Sequence, residues 1–321
     1  MKESKIMVTP EGEPGLPYSK GLRASELMVT GLSAFRAYQV AEEVEERLLA
    51  EGAKSVTPEE LAELTVRVLS DLAGDRYAKN FARWTAIGKL DVPLVVLIGG
   101  ATGVGKSTIA TQLAVRLGIV RVSASDSIRE VMRAMLTSQL MPTLYTSSFD
   151  VDSALREPPT RTTDKVIVGF REQTAAVAVG INALLERAAL EGTSVVIEGA
   201  HVVPGFYDLD LYEGRIVAVP VVVTVEDEET HRSHFAARSA ASTRPADRYI
   251  AKLENIRRVQ KYLKSQALSH GVPVIPNYRL DQTIAAIIDL VVERAAERLR
   301  KTQGGGEPSA TTDSILEGAK Q

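Results

Sequence analysis

The spacing of apolar residues changes character near residue 90. Upstream, apolar positions recur at helical intervals, and they predict helices over Gly21–Thr30, Ser33–Glu51 and Thr57–Ala73. Thr57-Pro58-Glu59-Glu60 is a strong helix start, with a capping hydroxyl, proline at the first position and acids in the first turn. A short extended run, Lys5-Ile6-Met7-Val8, precedes a Gly/Pro-rich turn at residues 10–15. Residues 1–75 therefore read as a small helical domain. Residues 76–90 read as a linker helix, on which Tyr77, Phe81 and Trp84 share one face, expected to dock on the core of the following domain.

Downstream, over residues 91–301, short Val/Ile-rich runs alternate with helical stretches. The runs predict strands over Val95–Gly99, Val120–Ala124, Ser194–Glu198, Ile216–Val225 and Val272–Ile275. Continuous rather than alternating apolar strands, separated by helices, indicate an α/β domain: a parallel sheet with flanking helices. Residues 302–321, with three consecutive glycines at 304–306, read as a disordered tail.

The first strand leads directly into Gly100-Ala101-Thr102-Gly103-Val104-Gly105-Lys106-Ser107, which matches the phosphate-binding P-loop G-x-x-x-x-G-K-[ST], and a helical pattern follows from Ser107. Strand, glycine loop and helix give the motif its mechanism. The glycines let backbone N–H groups converge on phosphate oxygens, and the helix N-terminus adds partial positive charge. Lys106 is placed to reach the β- and γ-phosphates and Ser107 to ligate Mg²⁺. Gly100 to Ser107 with Thr108 form the candidate nucleoside triphosphate site. Asn277, ending the last strand, either contacts the nucleotide or caps a turn.

In an open parallel sheet the C-terminal ends of the strands face the ligand crevice. The second strand ends in Ser125-Asp126-Ser127-Ile128-Arg129. Asp126 sits at a good helix N-cap position and is also suited to orient or deprotonate an acceptor hydroxyl, with Arg129 binding an anionic group. Glu198, closing the third strand, fits a Mg²⁺-organising carboxylate. His201 is either a substrate contact or a hydrogen-bonded structural histidine. His231–Lys252 carries Arg232, Arg238, Arg244 and Arg248, interrupted by Ser, Ala and Pro. Such a stretch reads as a lid whose arginines, Arg238 and Arg244 above all, neutralise charge on the transferred group, with Arg248 toward the acceptor. Arg257 and Arg258 follow on the next helix, one expected toward the site and the other toward solvent. The irregular stretch 140–149 holds Tyr145, Ser147 and Ser148 and suits a small phosphorylated or polyhydroxylated acceptor, with a plain surface loop as the competing reading.

Composition narrows the class. The chain has 321 residues and no cysteine, so disulfides and thiolate metal sites are excluded. A formal charge of −3 argues against broad binding to nucleic acid or acidic membranes. No apolar stretch reaches the length of a membrane span, and the opening Met1–Lys5 leads into no signal core. The expectation is a cytoplasmic protein, with a homo-oligomer left open, the first domain being a candidate to mediate it.

Several separate segments together resemble the 2-phosphoglycerate kinase family: Gly99–Arg129, the Pro142–Ser148 loop, Ile197-Glu198-Gly199-Ala200-His201, the lid with His234, Arg238, Arg244 and Tyr249, and residues 272–277. The resemblance spans about residues 91–290. It implies a nucleoside-monophosphate-kinase-like P-loop fold and ATP- and Mg²⁺-dependent phosphorylation of 2-phosphoglycerate to 2,3-bisphosphoglycerate. Lys106, Asp126, Arg129, Glu198, Arg238 and Arg244 are then catalytic. Tyr145, Ser147, Ser148, His201 and Arg248 join Asp126 and Arg129 at the acceptor. The family's N-terminal ATP-cone-like domain is resembled by Leu16–Leu22 and the helices after it. Thr9-Pro10-Glu11-Gly12, however, lacks the paired basic residues typical of a cone's first turn. Two other functions share these residues: a kinase of another acceptor such as inositol or inositol phosphate, and an ATP sensor without phosphoryl transfer.

Overall fold

Two units carry the fold, residues 1–91 with 289–321, and residues 92–288. The computed structural model describes residues 6–10, 14–87, 90–155, 163–240 and 246–303, without the side chains at 83, 86, 87, 237–240, 246 and 303.

The first unit contains β1 (Met7–Val8), β2 (Leu16–Pro17), α1 (Lys20–Leu27), α2 (Ala34–Ala50), β3 (Ser55–Val56), α3 (Pro58–Ala73) and α4 (Asp75–Ile87). The three helices stand where the periodicity puts them. Thr57 and Glu60 form a reciprocal capping box at the start of α3, each side chain accepting from the other residue's backbone N–H. The unit is not purely helical: β1 pairs antiparallel with β2 and parallel with β3. Two-residue strands are too short to show alternation, which is why the sequence pattern misses them.

The aromatic face of α4 also departs from expectation. Phe81 and Ala78 are buried, and Tyr77 packs part-buried, in the same cluster as Leu27, Val40, Leu61 and Leu69. These side chains complete the first unit's own core. Only Gly74 separates α4 from α3, so α4 packs back along its neighbour.

The second unit runs β4 (Leu94–Gly99), α5 (Lys106–Leu117), β5 (Val122–Ala124), α6 (Ser125–Met135), α7 (Lys165–Glu191), β6 (Val195–Gly199), β7 (Val217–Thr224), α8 (Glu228–Ala240), α9 (Ala246–Ala251), α10 (Leu253–Ser269), β8 (Val274–Pro276) and α11 (Leu280–Gln303). From Asp289 onward α11 groups with the first unit, so the second unit stops short of the expected boundary at residue 301. The tail over 304–321 lies outside the described residues.

All five strands of the second unit are parallel, in the order β5-β6-β4-β7-β8. This is the expected α/β P-loop architecture. Every residue of β4 and β6 is buried, as strands covered on both faces must be. On one face Val95, Leu97, Val195 and Ile197 pack with Val177, Ile181 and Leu185 of α7 and with Leu144. The chain leaves β4 for the outer strand β5, returns to β6, then crosses to β7 on the opposite side. The reversal opens a crevice above the C-terminal end of β4.

Candidate active site

The crevice is built by strand register. Gly99 of β4 lies opposite Gly199 of β6, Ile98 opposite Glu198, and Ala124 of β5 opposite Glu198 on the other side. The P-loop, the end of β6 and the start of α6 therefore emerge side by side.

The loop is held in a shape that only glycine permits. Gly103 and Gly105 adopt φ of 89° and 90°. A Cβ at Gly103 would lie 2.5 Å from the Phe235 ring, and one at Gly105 would lie 2.7 Å from Asn277 Nδ2. Lys106 is 9% exposed, and its Nζ donates to the Ala101 carbonyl at 2.8 Å. In the next position Ser107 Oγ donates to Glu198 Oε1 at 2.8 Å. Glu198 is buried at the strand end, so this hydroxyl pairs a carboxylate that burial would otherwise penalise. The hydroxyl and carboxylate oxygens are hard donors suited to Mg²⁺, which takes few protein ligands and relies on phosphates and water for the rest. Thr108 is exposed on the first turn of α5.

Asp126 departs from its expected cap position. The N-cap of α6 is Ala124, because β5 runs directly into the helix, and Asp126 sits within the first turn. Its carboxyl is exposed, and Arg129 Nε stands 3.7 Å from Oδ1. Arg129 is held by more than Asp126: Nη1 donates to the Leu144 carbonyl at 2.7 Å and Nη2 to Glu130 Oε1 at 2.7 Å.

His201 is fully buried and has both ring nitrogens occupied, which is the hydrogen-bonded one of its two readings. Gln173 Oε1 accepts from Nε2 at 2.9 Å, so Nδ1 accepts from Ser125 Oγ at 3.0 Å. The Gln173 amide then donates to the carbonyls of Thr143 and Thr146, at 2.5 and 3.0 Å. The loop after α6 is thus tied through Gln173 and His201 to Ser125, the neighbour of Asp126. Burial pushes the imidazole down to about 4, with the Asp126 charge opposing and Arg129 and Lys106 adding to the shift.

On that loop, Arg248 Nη2 donates to Ser147 Oγ at 2.8 Å, and Ser148 is half-buried beside it. The Tyr145 hydroxyl meets the carbonyls of Arg133 and Leu136, both at 2.9 Å, while the Arg133 guanidinium lies 4.9 Å from the ring centroid. Of the two arginines on α10, Arg257 donates to the carbonyls of Val225 and Glu226, and Arg258 pairs with Glu254. Asn277 gives its amide to the P-loop itself, donating to the Val104 carbonyl at 2.9 Å, and accepts from Thr283 Oγ1. Arg244 and the side chain of Arg238 lie outside the described residues.

A family model described as an AAA domain matches residues 95–263, the span from β4 into α10. Over nearly the whole chain the protein is similar to 2-phosphoglycerate kinases. That of Pyrococcus furiosus is 40% identical over 291 residues, covering 91% of this chain and 94% of the relative. That of Methanothermobacter thermautotrophicus is 40% identical over 296 residues, covering 92% and 94%. The chain belongs to the 2-phosphoglycerate kinase family.

Within this member of the 2-phosphoglycerate kinase family, the structure brings two groups to the site to which sequence reading gives no contact there, although His234 stands among the residues that carry the resemblance. Gln173 lies in mid-helix with no motif around it. His231 and His234 of α8 stand against the P-loop: their ring nitrogens contact the Thr102 and Gly103 carbonyls. Beside that resemblance, the local signal is a pair of histidines three residues apart on a helix that also carries Phe235. Among the described residues no cluster of three or more His, Cys, Asp or Glu suits a metal, and no helix is long and apolar enough to cross a membrane.

Proposed function

We propose that the protein transfers the γ-phosphoryl group of ATP to the 3-hydroxyl of 2-phosphoglycerate, giving 2,3-bisphosphoglycerate and ADP. The observation that carries this reading is the identity of about 40% across nine-tenths of the chain with proteins named for that activity.

In this reading the P-loop amides and Lys106 receive the triphosphate, with Lys106 exchanging the Ala101 carbonyl for phosphate oxygens. Ser107 and Glu198 would hold Mg²⁺, which when bound supplies positive charge to the phosphate oxygens. Asp126 orients the acceptor hydroxyl. The hydroxyl oxygen forms a bond to the γ-phosphorus as the bond to the β–γ bridging oxygen breaks. ADP leaves with that electron pair, and the hydroxyl proton passes to the Asp126 carboxylate. Arg129 and Arg248, with Tyr145, Ser147 and Ser148, receive the phosphate and carboxylate of an acceptor carrying two anionic groups. Arg238 and Arg244 of the lid neutralise charge on the transferring group. His201 supports Asp126 and the acceptor loop from beneath. The same anionic requirement favours phosphoglycerate over a neutral polyol.

The test is ADP release from ATP and Mg²⁺ with 2-phosphoglycerate, 3-phosphoglycerate, glycerate, myo-inositol and inositol monophosphate in turn. Stimulation by 2-phosphoglycerate well above the others is expected. Stimulation by an inositol compound instead would move the acceptor, and stimulation by none would leave a nucleotide sensor.

A further inference from the structure

A P-loop offers its N–H groups to phosphate only while its carbonyls are turned away from it. Here three side chains take three consecutive carbonyls. His231 Nε2 donates to Thr102 O at 2.8 Å, His234 Nδ1 to Gly103 O at 2.9 Å and Asn277 Nδ2 to Val104 O at 2.9 Å. A carbonyl oxygen only accepts, so the contacting nitrogen of each imidazole carries the hydrogen. Two of the three donors belong to α8.

The contact at His231 is closely built. The residue is fully buried, and its ring stacks on Phe235 with centroids 5.3 Å apart, while Phe235 stacks on Tyr249 of α9 at 5.1 Å. Its other nitrogen, Nδ1, is buried without a hydrogen-bond partner among the described residues. An unpaired buried nitrogen is costly, so the ring is oriented by its bond to the loop and not by satisfying both nitrogens. The absence of a side chain at Gly103 lets Phe235 and His231 approach the loop backbone this closely.

We propose that His231 and His234 are positioning residues: a latch that holds the P-loop carbonyls outward and ties the loop's phosphate-binding shape to α8. The inference rests on the reading of the loop as a nucleotide site. It predicts that losing the latch weakens nucleotide binding, while acceptor binding, which depends on the far side of the crevice, is spared.

Two substitutions at one position separate the latch from simple packing. His231→Phe keeps the stack on Phe235 and removes the donor; His231→Gln keeps a donor of similar reach and removes the stack. Binding of Mg–ADP is measured by calorimetry on the full chain without acceptor. The latch predicts about tenfold weaker binding for His231→Phe and near wild-type binding for His231→Gln. The reverse order, or both variants within twofold of wild type, overturns it. His234→Ala, at a half-buried position, gives the same test should His231→Phe fail to fold: threefold or more weaker binding supports the latch, and unchanged binding overturns it. If the wild-type chain itself binds no ADP, the reading of the loop fails and takes the latch with it. Unchanged binding in the variants of a wild-type chain that does bind removes the latch alone.

Discussion

Ser107 Oγ donates to Glu198 Oε1 across 2.8 Å, joining the first turn of the helix after the P-loop to the end of the neighbouring strand. The two residues are 91 positions apart in the chain, and parallel pairing of β4 with β6 brings them together. Glu198→Gln keeps an acceptor for the serine but removes the negative charge. Turnover is expected to fall about 100-fold or more, with a raised requirement for Mg²⁺ and an unchanged melting temperature. A Mg²⁺ titration of initial rates checks this, and an unchanged Mg²⁺ dependence would count against Glu198 as the metal-organising carboxylate.

Lys106→Ala removes the charge that the proposed mechanism sets against the transferred phosphoryl. Turnover is expected to fall by about three orders of magnitude. Far-UV circular dichroism should match the wild type, because the lysine's hydrogen bond to Ala101 O holds it to the loop and the secondary structure does not depend on its charge. Retention of wild-type turnover would remove Lys106 from the mechanism.

Gln173 links His201 to the carbonyls of Thr143 and Thr146 from a buried position. Gln173→Ala takes the partner from Nε2 of His201 and from the Thr146 carbonyl, while Thr143 O still accepts from Thr146 Oγ1 and His201 Nδ1 from Ser125, at a cost of about 2 kcal/mol in stability. Because the loosened segment is the one carrying Tyr145, Ser147 and Ser148, KM for the acceptor should rise while KM for ATP stays near its wild-type value. Steady-state kinetics with each substrate varied in turn separates the two.

The His201 imidazole is pushed down to about 4 by burial, against an ordinary value of about 6.5 in the unfolded chain. Above pH 6.5 the ring is neutral in both states and its contribution is constant. As pH falls below 6.5 the unfolded chain takes up a proton that the folded chain refuses, so stability declines until about pH 4, by on the order of 3 kcal/mol in all. Denaturant titrations at pH 7.5 and 4.5 should show this decline, and a smaller one in His201→Gln. Equal declines in the two proteins would mean that other groups carry the pH dependence.

The fold and the nucleotide half of the site are largely legible in the sequence because their signals are local. Leu94–Gly99 is continuously apolar, Gly100–Ser107 is a contiguous motif, and Thr57 and Glu60 announce a helix start within four residues. What the sequence leaves unread is decided by distant partners. Ser125-Asp126-Ser127 offers several capping residues, and only the direct passage of β5 into α6 makes Ala124 the cap. Tyr77 and Phe81 mark an apolar helix face but not the core that receives it. Gln173, His231 and His234 act on backbone carbonyls between 27 and 131 residues away, and no spacing rule reports such pairings.

The central claim is the identity of the acceptor and of the product. The protein is incubated with ATP, Mg²⁺ and 2-phosphoglycerate, and the phosphorus resonances are followed by NMR. The account predicts a glycerate carrying phosphate at both C2 and C3, accumulating in step with ADP, with little reaction when 3-phosphoglycerate is substituted. ADP formation without a bisphosphorylated glycerate, or no turnover of 2-phosphoglycerate by a protein that phosphorylates another acceptor, would contradict it.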